Sequence, residues 1–203
     1  MVKYKQMTVN NINLKIKNMK NIIILISLFI TIISCKAQII AVEDYKQYNQ
    51  DLEDGAYIKD INNILPKFIG TWKGVDNNKN HEYRIIKETI DYLGIKEDML
   101  LLRYKITNNS NGSIVENTLS LPNNDAYVMQ NGYVAETGSY VFSYIGREVA
   151  CGQNGWVFMR ILNNTNNLKA KLFLQVEGEI YPECTTGGAQ QILPLNWIVL
   201  TKQ

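Results

Sequence analysis

Leu100, Leu102, Tyr104 and Ile106 alternate along the chain with Leu101, Arg103, Lys105 and Thr107. That period of two restricts the fold more than any other feature of the sequence. Successive side chains of an extended strand point to opposite faces, so the pattern describes a strand with one face in a core. Ala170, Leu172, Leu174 and Val176 alternate in the same way with Lys169, Lys171, Phe173, Gln175 and Glu177. Segments 139–145, 156–162 and 197–201 are shorter and apolar on both faces, and 82–90 adds a more polar strand. Between them lie 76–80, 108–112, Asn131-Gly132 and 163–167, all rich in Asn, Asp or Gly. Those residues accept the positive φ that tight hairpins demand. About eight strands joined by short connections predict an all-β, antiparallel up-and-down sheet, closed as a barrel or folded as a sandwich. Upstream, Ile61, Ile64, Leu65 and Phe68 sit at helical intervals and predict a short N-terminal helix, weakened by Pro66.

A different texture precedes this domain. Met19-Lys20-Asn21 makes a short basic start, residues 22–33 are Ile and Leu broken only by Ser27, Phe29 and Thr31, and Ile32-Ile33-Ser34-Cys35 closes the run. The apolar core is well short of the roughly 20 residues that cross a bilayer as a helix. It is expected to be a cleaved targeting segment. The order of charge, apolar core, small residue and Cys resembles a bacterial lipoprotein signal with its lipobox. The resemblance implies cleavage before Cys35 and acylation of Cys35 with more than one chain, which makes the anchor stable. Lys36 follows the Cys where some inner-membrane lipoproteins carry Asp, and residues 36–40 lack the acidic cluster of surface-exported relatives. The implied location is the cell envelope, at the periplasmic face of the outer membrane. Residues 1–34 are thus read as signal, with 1–18 either a long basic lead-in or a start assigned too early. Residues 35–56 are read as lipidated Cys and tether, and 57–203 as the β domain.

Removing the leader changes the charge balance. Lys3, Lys5, Lys15, Lys17 and Lys20 leave with no acid, so Lys+Arg falls from 21 to 16 against 19 Asp+Glu and the net charge goes from +2 to −3. A slightly acidic domain has no electrostatic footprint for nucleic acid. Cys151 and Cys184 remain, an even pair in an oxidising compartment, which reads as a disulfide. Strands 156–162 and 168–176 flank the 163–167 turn, so paired positions should sum to about 330. The two cysteines sum to 335 and fall near each other at the hairpin's open end. Closing that loop stabilises the fold by roughly 3–4 kcal/mol.

Gly70-Thr71-Trp72 stands after the predicted helix and before the first strand. It resembles the Gly-x-Trp of lipocalins and other calycin barrels, where Trp plugs the barrel end beneath an Arg of the last strand. Here the last strand offers Lys202. The resemblance covers about 70–203 and implies a lipocalin-like barrel with Gly70 and Trp72 as fold markers. As a whole the chain is similar to small uncharacterised bacterial lipoproteins of this type, a group that implies no activity.

Catalytic patterns are missing from the sequence. No Ser has the Gly-x-Ser-x-Gly context, no Gly-rich loop leads into Lys-Ser/Thr, and His81 is the single histidine, expected at the surface beside a turn. Glu82, Arg84 and Glu88 share a parity and read as a solvated outer face. No enzyme activity, metal or cofactor is expected. The residues with binding potential are aromatic: Tyr140, Phe142 and Tyr144 on one face of a strand, and Trp156, Phe158 and Arg160 on one face of a later strand. If both faces line the barrel, they make an apolar cavity with one guanidinium to orient a small apolar or amphipathic ligand. The alternative is a filled barrel that docks another envelope protein.

Overall fold

A computed structural model of the protein describes residues 37–203. The leader and Cys35 lie outside the described residues. Eleven strands form one mixed sheet: β1 (Ile39–Ala41), β2 (Tyr57–Lys59), β3 (Gly70–Asp76), β4 (Lys79–Tyr92), β5 (Ile95–Asn108), β6 (Ile114–Asn117), β7 (Gln130–Val134), β8 (Tyr140–Ile145), β9 (Asn154–Ile161), β10 (Lys169–Val176) and β11 (Ile198–Lys202). The hydrogen-bonded order is β1-β2-β5-β4-β3-β11-β10-β9-β8-β7, with β6 paired to β5. The sheet is strongly curled into a half-barrel. Leu102 of β5 and Met129, just before β7, exchange reciprocal backbone hydrogen bonds of 2.9 and 3.0 Å.

The all-β expectation holds, and two of its details are corrected. The sheet is not purely antiparallel, because β1 pairs β2 and β2 pairs β5 in parallel. The helix expected over 60–68 is absent; only a 3₁₀ turn, Leu65–Lys67, forms there. Asp60 supplies the reason: its carboxylate accepts the Ile64 and Leu65 N–H groups at 2.7 and 3.2 Å, and Pro66 has no N–H with which to continue. The stretch read as a tether is also partly built into the domain, since Ile40, Val42 and Ala56 are buried.

Asparagine turns behave as expected at the β3–β4 hairpin, where Asn77 and Asn78 hold φ of 45° and 60°. Asn131-Gly132 does not separate strands. It is a bulge inside β7, where the pairing to β8 shifts register between Gln130 and Tyr133. A Cβ on Gly132 would lie 2.3 Å from the Val141 carbonyl oxygen, so only glycine fits.

The concave face carries the core. Trp72, Tyr83, Ile85, Leu100, Leu102, Tyr104, Phe142, Met159, Leu172 and Leu200 are all buried in one cluster. Trp72 donates its indole N–H to the Phe68 carbonyl at 2.7 Å. Lys202 is the cross-strand partner of Trp72 and its Nζ lies 5.1 Å from the indole centroid. Gly70, at φ 130°, leaves room for that lysine: a Cβ there would stand 2.8 Å from Lys202 Cε. The convex side of β5 is covered as well, with Met99 and Leu101 packed on Val128 and Leu121. The long β10–β11 connection returns through the buried Leu193, and the Cys151–Cys184 disulfide, with Cα atoms 5.1 Å apart, fastens it to the β8–β9 turn.

Candidate functional site

Antiparallel partners share a face of the sheet, so register decides which aromatic residues can meet. Between β8 and β9 the partners are Tyr140 with Met159, Phe142 with Val157 and Tyr144 with Gly155. Tyr140, Phe142 and Tyr144 are buried on the concave face. Val141 pairs with Phe158 and Ser143 with Trp156, and these belong to the convex face. The six residues expected to line one cavity are therefore split, three inside and three outside. Paired positions in this hairpin sum to an odd number, so even-numbered residues on the two strands face opposite ways. A change of one residue in the β8–β9 connection would have reversed the result.

On the outside, register assembles a transverse row. Tyr133 pairs with Val141, Val141 with Phe158, and Phe158 with Phe173. The Phe158 and Phe173 rings stack at 5.1 Å, and Trp197, which is 41% exposed, closes on Phe173 at 4.3 Å. Trp156 packs edge-on to Tyr133 at 6.2 Å, and its indole N–H donates to Glu177. Cations border the row: Lys46 Nζ lies 4.6 Å from the Tyr133 ring and Lys171 Nζ 4.4 Å from Trp197. Arg160 is the cross-strand neighbour of Lys171. Its Nε donates to the Ser139 hydroxyl at 3.0 Å, and its guanidinium lines a polar cleft of about 730 Å³ with Lys67 and the 163–167 asparagine turn. Among the described residues no carboxylate pairs with Arg160. Phe173 and Trp197 were absent from the sequence-based set: Phe173 reads as the polar phase of its strand, and Trp197 opens a short segment that is apolar on both faces.

Residues 19–203 match the profile of DUF6705, a family of unknown function. The chain belongs to that family. No curated protein and no solved structure matches it.

This DUF6705 domain also holds two polar clusters that sequence reading missed. His81 is not at the surface: it is 2% exposed, with Nδ1 3.1 Å from the Tyr83 hydroxyl. Burial pushes its pKa down to about 4. His81 Nε2 and the Tyr144 hydroxyl are buried without a hydrogen-bond partner. The second cluster joins Asp98, Asp60 and Lys87. Lys87 Nζ reaches Asp98 at 2.9 Å and Asp60 at 3.6 Å. Burial alone would raise the Asp98 pKa, but hydrogen bonds from Thr89, Lys87, the Asp60 N–H and Tyr57 outweigh it and hold the group at about 2. This cluster fixes the 60–68 segment against the sheet, which is a structural task. Glu82 pairs with Lys73 and Arg84 on the solvated side, as expected. Among the described residues no group of three or more His, Cys, Asp or Glu could hold a metal ion.

Proposed function

We propose that this DUF6705 chain is a non-enzymatic, lipid-anchored protein of the cell envelope that docks another envelope protein through the convex face of β7–β11. The observation that carries the reading is the row Tyr133, Phe158, Phe173 and Trp197, bridged at its centre by Val141, which is itself fully covered. A folded domain ordinarily places polar side chains on the outer face of a curled sheet, and contiguous outer apolar surface marks interaction sites. Lys46, Lys171 and Arg160 around the row set the partner's chemistry: an apolar centre with carboxylates at its rim. Acylation of Cys35, and residence on the periplasmic face of the outer membrane, belong to the same proposal and rest on the lipobox-like leader. The finer fold reading, a lipocalin-like barrel, is proposed alongside them. Trp72 under Lys202, and the Leu102–Met129 link between strands distant along the sheet path, support it.

A second reading is carriage of a small amphipathic molecule inside the sheet. It is favoured by one observation, the unpartnered His81 Nε2 and Tyr144 hydroxyl. The aromatic filling of the core weighs against it.

The test places a photo-reactive residue at Val199, 57% exposed and paired with Lys171, in the lipidated protein expressed in its own host. The expected result is one discrete protein adduct that disappears in Phe173→Ser, with native mass spectrometry of the Cys35→Ser domain giving the bare mass. No adduct, together with a reproducible small-molecule mass that is lost in His81→Ala, would transfer the function to the interior.

A further inference from the structure

Eight non-glycine residues among those described hold positive φ; seven are asparagine and the eighth is Leu93. Leu93 and Gly94, at φ 53° and 82°, form the two-residue turn of the β4–β5 hairpin. Asn-Gly is the ordinary choice for such a turn, and a γ-branched apolar side chain is a costly one. Among the described residues Leu93 gains little packing in return, being 80% exposed, with Tyr92 beside it 70% exposed. Strained, displayed residues of this kind point to function outside the fold.

The first described strands begin at the same end of the sheet as this tip. Ile39 pairs with Tyr57 and Tyr57 with Lys96, both in parallel. Three parallel strands therefore start level with one another. Traced backward, Gln38 accepts from the Tyr57 N–H and Ala56 from the Lys96 N–H, so the chain at Gln38 still runs beside Ala56 and Ile95, towards the hairpin tip. Cys35 is three residues before Gln38, a contour of about 10 Å. An acyl chain on Cys35 would hold the bilayer within that reach of the end of the sheet at which Tyr92 and Leu93 are exposed. Further apolar groups lie close behind: Tyr45, Leu52, Ile58, Ile90 and Ile95 line a cleft of about 450 Å³ that includes Tyr92.

We infer that the Tyr92-Leu93 tip is a second membrane contact, inserted into the interfacial region of the bilayer that carries the acyl anchor, and that it sets the orientation of the domain. Tyrosine suits the headgroup level and leucine the acyl boundary. The contact is apolar rather than electrostatic. Asp91 is the cross-strand partner of Lys96 and offsets its charge, and Glu53 donates its N–H to Gln38 Oε1, which brings the acidic 51–54 segment to the same edge. Insertion is therefore expected on neutral as well as anionic lipid. The inference rests on the acylation of Cys35 proposed above.

The experiment uses the lipidated full chain, made in a bacterial host that acylates lipoproteins and reconstituted into phosphatidylcholine vesicles with or without phosphatidylglycerol. An environment-sensitive fluorophore is attached at Leu93→Cys or, as control, at Val75→Cys beside the β3–β4 turn at the far end of the sheet. Mass spectrometry of the Cys35 peptide reads acylation separately. The expected outcome is an acylated peptide with fluorophore emission at 93 blue-shifted and quenched by doxyl lipids in both vesicle types, while 75 is unaffected. Tyr92→Ser should at least halve the quenching at 93. An acylated protein whose 93 label stays solvent-like would overturn the inference and leave the anchor standing. A blue shift that doxyl lipids do not quench would also overturn it, assigning the tip to a protein contact. An unacylated Cys35 would remove both the anchor and the inference.

Discussion

The two faces of the β8–β9 ladder are built from similar residues and do different things. Inside, Tyr140, Phe142 and Tyr144 are buried against Val157 and Met159. Outside, Trp156 and Phe158 are only partly covered, and their neighbours Phe173 and Trp197 extend them into a row. Aromatic content alone does not separate a core from a docking surface. The pleat separates them, because it sends alternate side chains to opposite environments.

The sharpest test of that contrast is truncation on each face. Phe142→Ala should lower unfolding free energy by about 3–5 kcal/mol, the usual range for removing a buried aromatic ring. Trp197→Ala should stay within about 1 kcal/mol of wild type, since a surface truncation removes little packing. Denaturant unfolding of both variants checks the pair; equal losses would mean that the outer row is core. Cys151→Ser with Cys184→Ser comes next, at roughly 3–4 kcal/mol for the loop closed. It should act on the inside, because the loop it frees carries Leu193.

Acid should reach the inner face in a defined window. His81 is held neutral by burial, with its pKa down from 6.5 to about 4. Below the unfolded value the unfolded chain takes up a proton that the native state refuses, so stability falls as pH drops from 6.5 towards 4. The loss is on the order of 3 kcal/mol at about 1.4 kcal/mol per pH unit. His81 is the sole histidine, and His81→Gln should flatten the unfolding curve above pH 5; Glu97, whose pKa burial raises, acts with the opposite sign. Asp98 has the other sign of shift, held at about 2, so its contribution is present above its unfolded value of 3.8 and disappears as pH falls to 2. The smallest effect on folding should be the most informative for function. Trp197→Ala is expected to weaken partner capture at least about tenfold, as hot-spot aromatics do, while the fold stays intact.

Much of the architecture was legible in the chain. The alternation in 100–107 and 169–177 identified β5 and β10, and most of the asparagine clusters identified their turns. Hairpin arithmetic placed Cys151 near Cys184, since their distance depends on a register set by one short turn. Local chemistry decides each of these features, so local reading finds them. The candidate site was half legible: its residue types were right and its faces were not. Trp156, Phe158 and Arg160 were assigned inward because the eight residues between Ile145 and Asn154 set even positions of β8 opposite odd positions of β9, which no propensity reveals.

Other features depended on distant parts of the chain. His81 looks like a turn residue and is buried on the inner face of the sheet, beside Tyr83 two positions along its own strand. Asp60 ends an apparent helix by taking its first N–H groups, and Asp98 and Lys87, from the neighbouring strands, fix it in place. Leu93 reads as an ordinary apolar residue until the hairpin closes around it at positive φ. What the sequence by itself determined was the period of two, the punctuation between strands, the disulfide pairing and the lipobox-like leader. Only the tertiary structure decided which face each aromatic residue serves and where the exposed tip points, because face and direction follow from register between segments far apart in the chain.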